Sequence, residues 1–289
     1  MHADLDTLCT VVYCTADDLL PAKPANARRR VSDAEVATLC VAQAIMGIPS
    51  DRRFLAVARK RLGHLFPELP KQPGFHKRRA RLAETIEWLI GVFSSASPGS
   101  HDELLLIDST PVECARSVET TRRSALADAA DYGYCASHSR FFWGFRLHCL
   151  FAPDGTPRAF ALASPKRDER EVGIELLERA NRAGGEIVIG DKGYAGKDFA
   201  EAVSTLEATI VRPARKNEPD NGIHLAPIRQ RIESIFWTCK DILTLERHGA
   251  RTLHNLRARI AQRFLALAAC VALNHRLGRP SRALVDYVA

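Results

Sequence analysis

The sequence predicts an α/β protein, a mixed sheet flanked by helices and preceded by an all-helical N-terminal region. Three observations predict it. Amphipathic helical periodicity fills the first hundred residues. Short apolar runs bounded by turn residues take over after "ASPGS", residues 96–100. Segments of helical spacing then separate the later runs, the alternation that builds a sheet covered by helices.

In the N-terminal region, "VSDAEVATLCVAQAI" places Ser32 as N-cap and Glu35 three residues on, a capping box ahead of an apolar stripe. "SDRRFLAVARKRLGHLF" reads as a second helix starting near Ser50, basic on its outer face. "KQPGFHKRR" reads as a basic turn, and "ARLAETIEWLIGVFSS" as a third helix. "ASPGS" is the linker, which divides the chain into 1–98, a helical domain, and 99–289, the sheet domain with C-terminal helices. "ELLLID", "FFWGFRLHCLFA" and "PRAFALAS" are strands, the last two joined by the turn "PDG". "DEREVGIELLERANRA" is an acid-led helix, and "EIVIG" a buried strand after Gly184 and Gly185. "GKDFAEAVSTL" is a short helix and "ATIVRPA" a strand. "PIRQRIESIFWTCKDIL" is a helix with Pro227 near its start, and "TLHNLRARIAQRFLALAACVALNHRL" a long buried one. "RKNEPDNG", 215–222, has no periodicity and reads as a loop. Three strands, a helix and two further strands fit the ribonuclease H-like order, which other α/β architectures share.

Composition is that of a globular chain, 46% hydrophobic and 26% charged. No run approaches the roughly 18 apolar residues of a membrane span. The start "MHADLDTLC" lacks the basic-then-apolar grammar of a signal peptide, so a cytoplasmic, nucleoid-associated location is the expectation. Eight cysteines include no C-x-x-C pair and mostly sit in apolar stretches, which argues against structural zinc. The net charge of +7 is uneven: +4 over residues 1–100, −5 over 101–211 and +8 over 212–289. An acidic middle between basic ends suits a carboxylate metal site between polyanion-binding surfaces, and also suits ordinary fluctuation along a soluble chain.

Four apolar residues in "LLLIDSTP" end in Asp108. A carboxylate there either caps a turn or has a cation against it, because burying it unpaired is costly. "EIVIGDKGY" repeats the pattern at Asp191, where "DKG" is also good turn chemistry. The carboxyl ends of strands are where open α/β sheets bind ligands. In "IRQRIESIFW", Glu233 lies beside the apolar stripe with Arg229 four residues earlier on the same face; Lys240 is two turns further on. That pattern alone is an ordinary i, i+4 ion pair. Together the three acids can surround hard divalent cations. Mg²⁺ takes a few carboxylates with waters and phosphate oxygens, and two such ions serve in-line displacement at phosphorus. With ions about 4 Å apart, the carboxylates of Asp108, Asp191 and Glu233 should converge within roughly 10 Å. His148, in a strand, reads as a core histidine and His138 similarly; His248 and His254 lack metal-pair spacing.

On "LLLIDSTP", "GFRLH" (144–148), "IGDKGY" (189–194) and "RQRIESIFWTCK" (229–240), the chain resembles the DDE-type transposases of bacterial insertion sequences. "VSDAEVATL" and "FPELPKQPGFHKRRARL" are similar to the helical leader of one branch of them. The family signature of Arg, three residues, Glu, six residues, Lys falls on Arg229, Glu233 and Lys240; the tyrosine many relatives carry three residues before the Arg is Ala226 here. The resemblance implies a ribonuclease H-like core, hydrolysis of a phosphodiester at each transposon end, and attack of the freed 3′-hydroxyl on target DNA. It assigns Asp108, Asp191 and Glu233 as catalytic metal ligands for two Mg²⁺, with Mn²⁺ as a substitute. Arg229 and Lys240 would hold DNA phosphates, as would Lys192 and Arg146. Arg52, Arg53, Lys77, Arg78, Arg79 and Arg81 are candidates for transposon-end binding in a helix-turn-helix-like unit. The expected partner is double-stranded DNA, with a homodimer on DNA and no membrane. A related nuclease that cuts without joining, and a non-catalytic repressor, are the competing readings.

Overall fold

The computed structural model describes residues 4–21, 30–135, 139–180, 182–215, 218 and 225–288. They divide into two compact units: residues 1–93 with 238–250 and 254–289, and residues 94–237 with 251–253. The sequence boundary near 98 is close to the first break. The C-terminal helix, however, belongs with the N-terminal helices and not with the sheet.

The helical unit contains α1 (Leu5–Leu19), α2 (Asp33–Ile45), α3 (Asp51–Arg61), α4 (Gln72–Arg81), most of α5 (Ala83–Ser95) and nearly all of α10 (Leu253–Arg276). The capping box on α2 forms as read: Glu35 N–H donates to the Ser32 hydroxyl at 3.0 Å, and the Glu35 carboxylate accepts from the Ser32 N–H. Ser50 caps α3. The stretch taken for a basic turn is helical α4, because Pro73 falls in the first turn where its missing N–H costs nothing. Phe75 of α4 is buried against Phe54 of α3, with ring centroids 5.8 Å apart.

A buried polar network ties α10 into this unit. Arg79 donates to both oxygens of Asp51 at 2.9 and 3.1 Å, and Arg259 donates to the same carboxylate at 2.7 Å. Gln43 donates to Asp51, and Gln262 to Gln43 and to the Cys40 carbonyl. Arg263, fully buried beside them, donates to the Arg259 carbonyl. Its guanidinium is pushed down to about 9 by burial and by Arg259 and Arg79. One carboxylate therefore faces three cations. Although burial opposes its charge most strongly, the Arg79 pair and Arg259 hold Asp51 well below the usual carboxylate range.

The sheet unit contains β1 (Leu104–Ala115), α6 (Val118–Arg123), β2 (Asp131–Cys135), β3 (Arg140–Phe151), β4 (Pro157–Ala163), α7 (Glu169–Arg179), β5 (Glu186–Ile189), α8 (Lys197–Thr205), β6 (Ala208–Val211) and most of α9 (Ala226–Asp241). Its six strands form one sheet in the order β2-β3-β1-β5-β6, with β4 also on β3. β2 and β4 share the outer edge of β3, pairing with its first and second halves. Without β2 the order is β4-β3-β1-β5-β6, and β3 alone runs against the others. This is the ribonuclease H-like mixed sheet.

Three elements here depart from expectation. β1 does not stop at Asp108 but continues to Ala115, since β3 is long enough to pair with it throughout. β2 and α6 are additional; Gly133 interrupts the strand pattern of "DYGYC". "RKNEPDNG" lies largely outside the described residues, and His138 wholly so. All eight cysteines are free thiols. Among the described residues no helix is long and apolar enough to cross a membrane.

Replacing Asp51 by Asn strands buried guanidinium charge, and losing one partner of such a pair costs about 3–5 kcal/mol. The urea midpoint should fall by the equivalent amount, whereas Arg53→Gln, on the exposed face of α3, should leave it nearly unchanged. Denaturant titration followed by circular dichroism checks this.

Candidate active site

Pairing of β1 with β5 is parallel and brief: Leu104 with Ile187, Leu105 with Val188, Leu106 with Ile189. Two residues beyond the last pair on each strand stand Asp108 and Asp191. Side chains alternate along a strand, so both aspartates continue the Leu106–Ile189 face at the carboxyl end of the parallel pair. α9 covers this face. Phe236 of α9 packs edge-on against Phe151, 6.0 Å between centroids, and Phe151 is the β3 partner of Leu106. The opposite face carries Leu105, Ile107, Leu150 and Val188 in a buried cluster with Leu177 of α7 and Phe199 of α8.

The Asp108 carboxylate accepts from the Ser109 N–H at 2.7 Å. Burial pushes its pKa up to about 7, against the help of that N–H; Asp191 and Glu169 push the same way and Arg229 pulls it back. Asp191 Oδ1 accepts from the Gly193 N–H at 2.7 Å and caps the short turn Lys192–Tyr194. Asp191 therefore closes a turn, and its charge also acts on Asp108. Gly190 lets that turn lie close to the sheet, since a Cβ there would come within 2.9 Å of the Tyr194 ring and 3.2 Å of Ile107.

A third carboxylate reaches this strand end, and it was not among the expected ones. Glu169, the first residue of α7, accepts from the Ser109 hydroxyl at 2.8 Å and from Arg146 Nη1 at 2.5 Å, both at Oε1. Arg146 Nη1 also donates to Ser109 Oγ at 2.8 Å and Nη2 to the Tyr134 carbonyl at 2.9 Å. Glu169 Oε2 turns toward Asp191: a Cβ on Gly193 would lie 3.0 Å from it and 2.8 Å from Asp191 Oδ1. In sequence, Glu169 was hidden among the acids of "DERE", which read as first-turn charges favoured by the helix dipole.

The remaining candidates divide. Arg229 faces Asp108 closely enough to affect its charge. Glu233, one turn further along α9, is exposed; the charges that act on Asp108 are those of Asp191, Glu169 and Arg229. Lys192 is exposed. Lys240 lies in the last turn of α9, within the helical unit, 3.7 Å from Glu246. Arg146, expected at a phosphate, directs both terminal nitrogens to protein acceptors and frames the site instead. Arg79, expected at DNA, is fully buried on Asp51, where no phosphate can reach it. Arg78 pairs with Asp33 at 2.5 Å and the Val31 carbonyl at 2.6 Å. Arg52, Arg53, Lys77 and Arg81 are exposed. His148 is in the core, but both its ring nitrogens lack partners among the described residues. Burial, with Arg146 and Arg167, pushes it down to about 4, so it is neutral at pH 7.

The donor set is oxygen-rich, as a hard cation requires. Among the described residues no three acidic, histidine or cysteine side chains are arranged to enclose a metal ion. Mg²⁺ does not need such a cage, because it binds through one or two carboxylates with waters and substrate phosphates. Asp108 and Asp191 fit that requirement. The Tyr194 hydroxyl is fully buried and has no hydrogen-bond partner among the described residues; burial pushes its pKa well up, and the charges of Asp108, Glu169 and Asp191 push it further.

Residues 99–269, more than half of the chain, match the family described as the transposase DDE domain. The chain belongs to that family and is a transposase by descent. Among solved structures it is similar to piggyBac transposase in a synaptic complex with hairpin DNA, at 10% identity and a TM-score of 0.47, over 99% of this chain and 79% of that one. No curated protein matches the sequence.

Asp108 carries a charge the fold resists. Its contribution to stability is present below the unfolded value of 3.8 and is lost as pH rises through about 7. In EDTA, Asp108→Asn should therefore be more stable than the wild type by about 2–4 kcal/mol at pH 8. The advantage should shrink from pH 7 toward pH 4, as read by thermal melts across that range.

Proposed function

We propose that this transposase cuts DNA phosphodiesters at insertion-sequence ends and joins the freed 3′-hydroxyl to target DNA, using divalent cations held by Asp108, Asp191 and Glu233. The observation that carries the reading is the pair of register-matched aspartates, one of them resisted by burial and by neighbouring acids. Such a pair is stabilised by a shared cation. Mg²⁺, or Mn²⁺ in its place, would supply activation of the attacking oxygen and stabilisation of the leaving one.

The chain's own residues do the rest. Asp108 and Asp191 present oxygens on one face of the sheet. Glu233 reaches that end from α9 when DNA brings phosphate oxygens to complete the ligand shell. Arg229, beside Asp108, offers a cation to a DNA phosphate, and Lys192 and Lys240 offer further backbone contacts without reading bases. Arg52, Arg53, Lys77 and Arg81 form the basic surface of the helical unit and are assigned to transposon-end DNA. A homodimer forms when two ends are synapsed, in the cytoplasm at the nucleoid.

The test is strand transfer from an end oligonucleotide with a free 3′-hydroxyl into a supercoiled plasmid, in Mg²⁺. Joined products are expected from the wild type, with a loss of about 10³-fold or more in Asp108→Asn and Asp191→Asn. Cleavage without joining would make the protein a nuclease, and DNA binding with neither would make it a repressor.

A further inference from the structure

Two acids account for the strand ends, yet the structure brings a different third acid to them than the family signature does. We propose that Glu169 is a working carboxylate of the cation site, its Oε2 acting with Asp108 and Asp191 while its Oε1 is held by Arg146 and Ser109. The proposal rests on the metal-dependent reading above.

The two oxygens of Glu169 have different surroundings. Oε1 accepts from Arg146 and from the Ser109 hydroxyl, and Arg146 is itself fixed on the Tyr134 carbonyl. That clamp leaves Oε2 on the side of Gly193 and Asp191. An ordinary ion pair would hold Glu169 away from other acids. Here the clamp turns Oε2 toward Asp191, an approach that a cation between them would offset.

The second observation is independent of the acids. The Tyr194 hydroxyl is buried, has no partner among the described residues, and feels the charges of Asp108, Glu169 and Asp191. Buried hydroxyls are nearly always hydrogen-bonded. An orphaned one in the field of three carboxylates marks a place where a ligand shell, a cation with its water, completes the bonding. Residue Ser109, next to Asp108 in β1, couples the two sides: its N–H holds Asp108 and its hydroxyl holds Glu169.

The test uses the full chain bound to end DNA, with Mn²⁺ as probe and free ion read by electron paramagnetic resonance. Glu169→Gln keeps an acceptor for Arg146 and Ser109 but removes the charge. It should weaken Mn²⁺ binding at least fivefold; a smaller change overturns the assignment while leaving the metal mechanism standing. No uptake by the wild type overturns both. Fe²⁺ with ascorbate and peroxide, on the unmodified chain, gives a second readout that does not depend on the variant folding. Backbone cuts are expected around 107–109, 168–170 and 190–193, and absence of cutting at 168–170 overturns the assignment.

Discussion

Burial of the Asp108 carboxylate at the end of a strand, with the charges of Asp191 and Glu169 acting on it, is the constraint around which the account of the sheet unit is organised. β1 and β5 pair in parallel over three residues, and both chains then deliver an aspartate two positions later on the same face. Nothing in the hydrophobic core requires that coincidence. Leu105, Ile107 and Val188 would pack as well with neutral residues beyond them. The surrounding groups temper the repulsion without removing it: the Ser109 N–H and Arg229 favour the Asp108 anion, while burial, Asp191 and Glu169 oppose it. The proposed cation would offset that opposition.

The helical unit shows the opposite balance. There a single buried carboxylate, Asp51, is met by Arg79 and Arg259, with Arg263 adjoining, and glutamines take up the remaining bonds. Excess positive charge is internal there, and acts to join α10 to α2, α3 and α4. This is why the C-terminal helix, distant in sequence, falls into one compact unit with the N-terminal helices. Basic residues in this unit therefore differ in placement: Arg79 and Arg259 are structural, whereas Arg52, Arg53, Lys77 and Arg81 are exposed.

Much of the fold was legible in the sequence because it is written in local rules. Ser32 and Glu35 mark a helix start by a capping box, and the apolar runs at 104–107 and 186–189 mark strands. What escaped depends on distance. Whether β1 ends at Asp108 is decided by β3, forty residues away, and the period of "ELLLID" carries no trace of it. "KQPGFHKRR" looked like a turn for want of apolar residues, yet Phe75 packs it against Phe54 and Arg79 ties it to Asp51. At the site, Asp108 and Asp191 were readable because each closes an apolar run. Glu169 was not, since an acid at a helix start has a local explanation already. Arg79 could not be told from Arg78 or Arg81 by composition; only the position of Asp51 assigns it to the interior.

The most direct measurement is anomalous diffraction from crystals of the chain with an end duplex, grown in Mn²⁺ and collected at the manganese edge. The account expects a peak within coordination distance of both the Asp108 and Asp191 carboxylates. Manganese bound only elsewhere, or none with DNA in place, would contradict it.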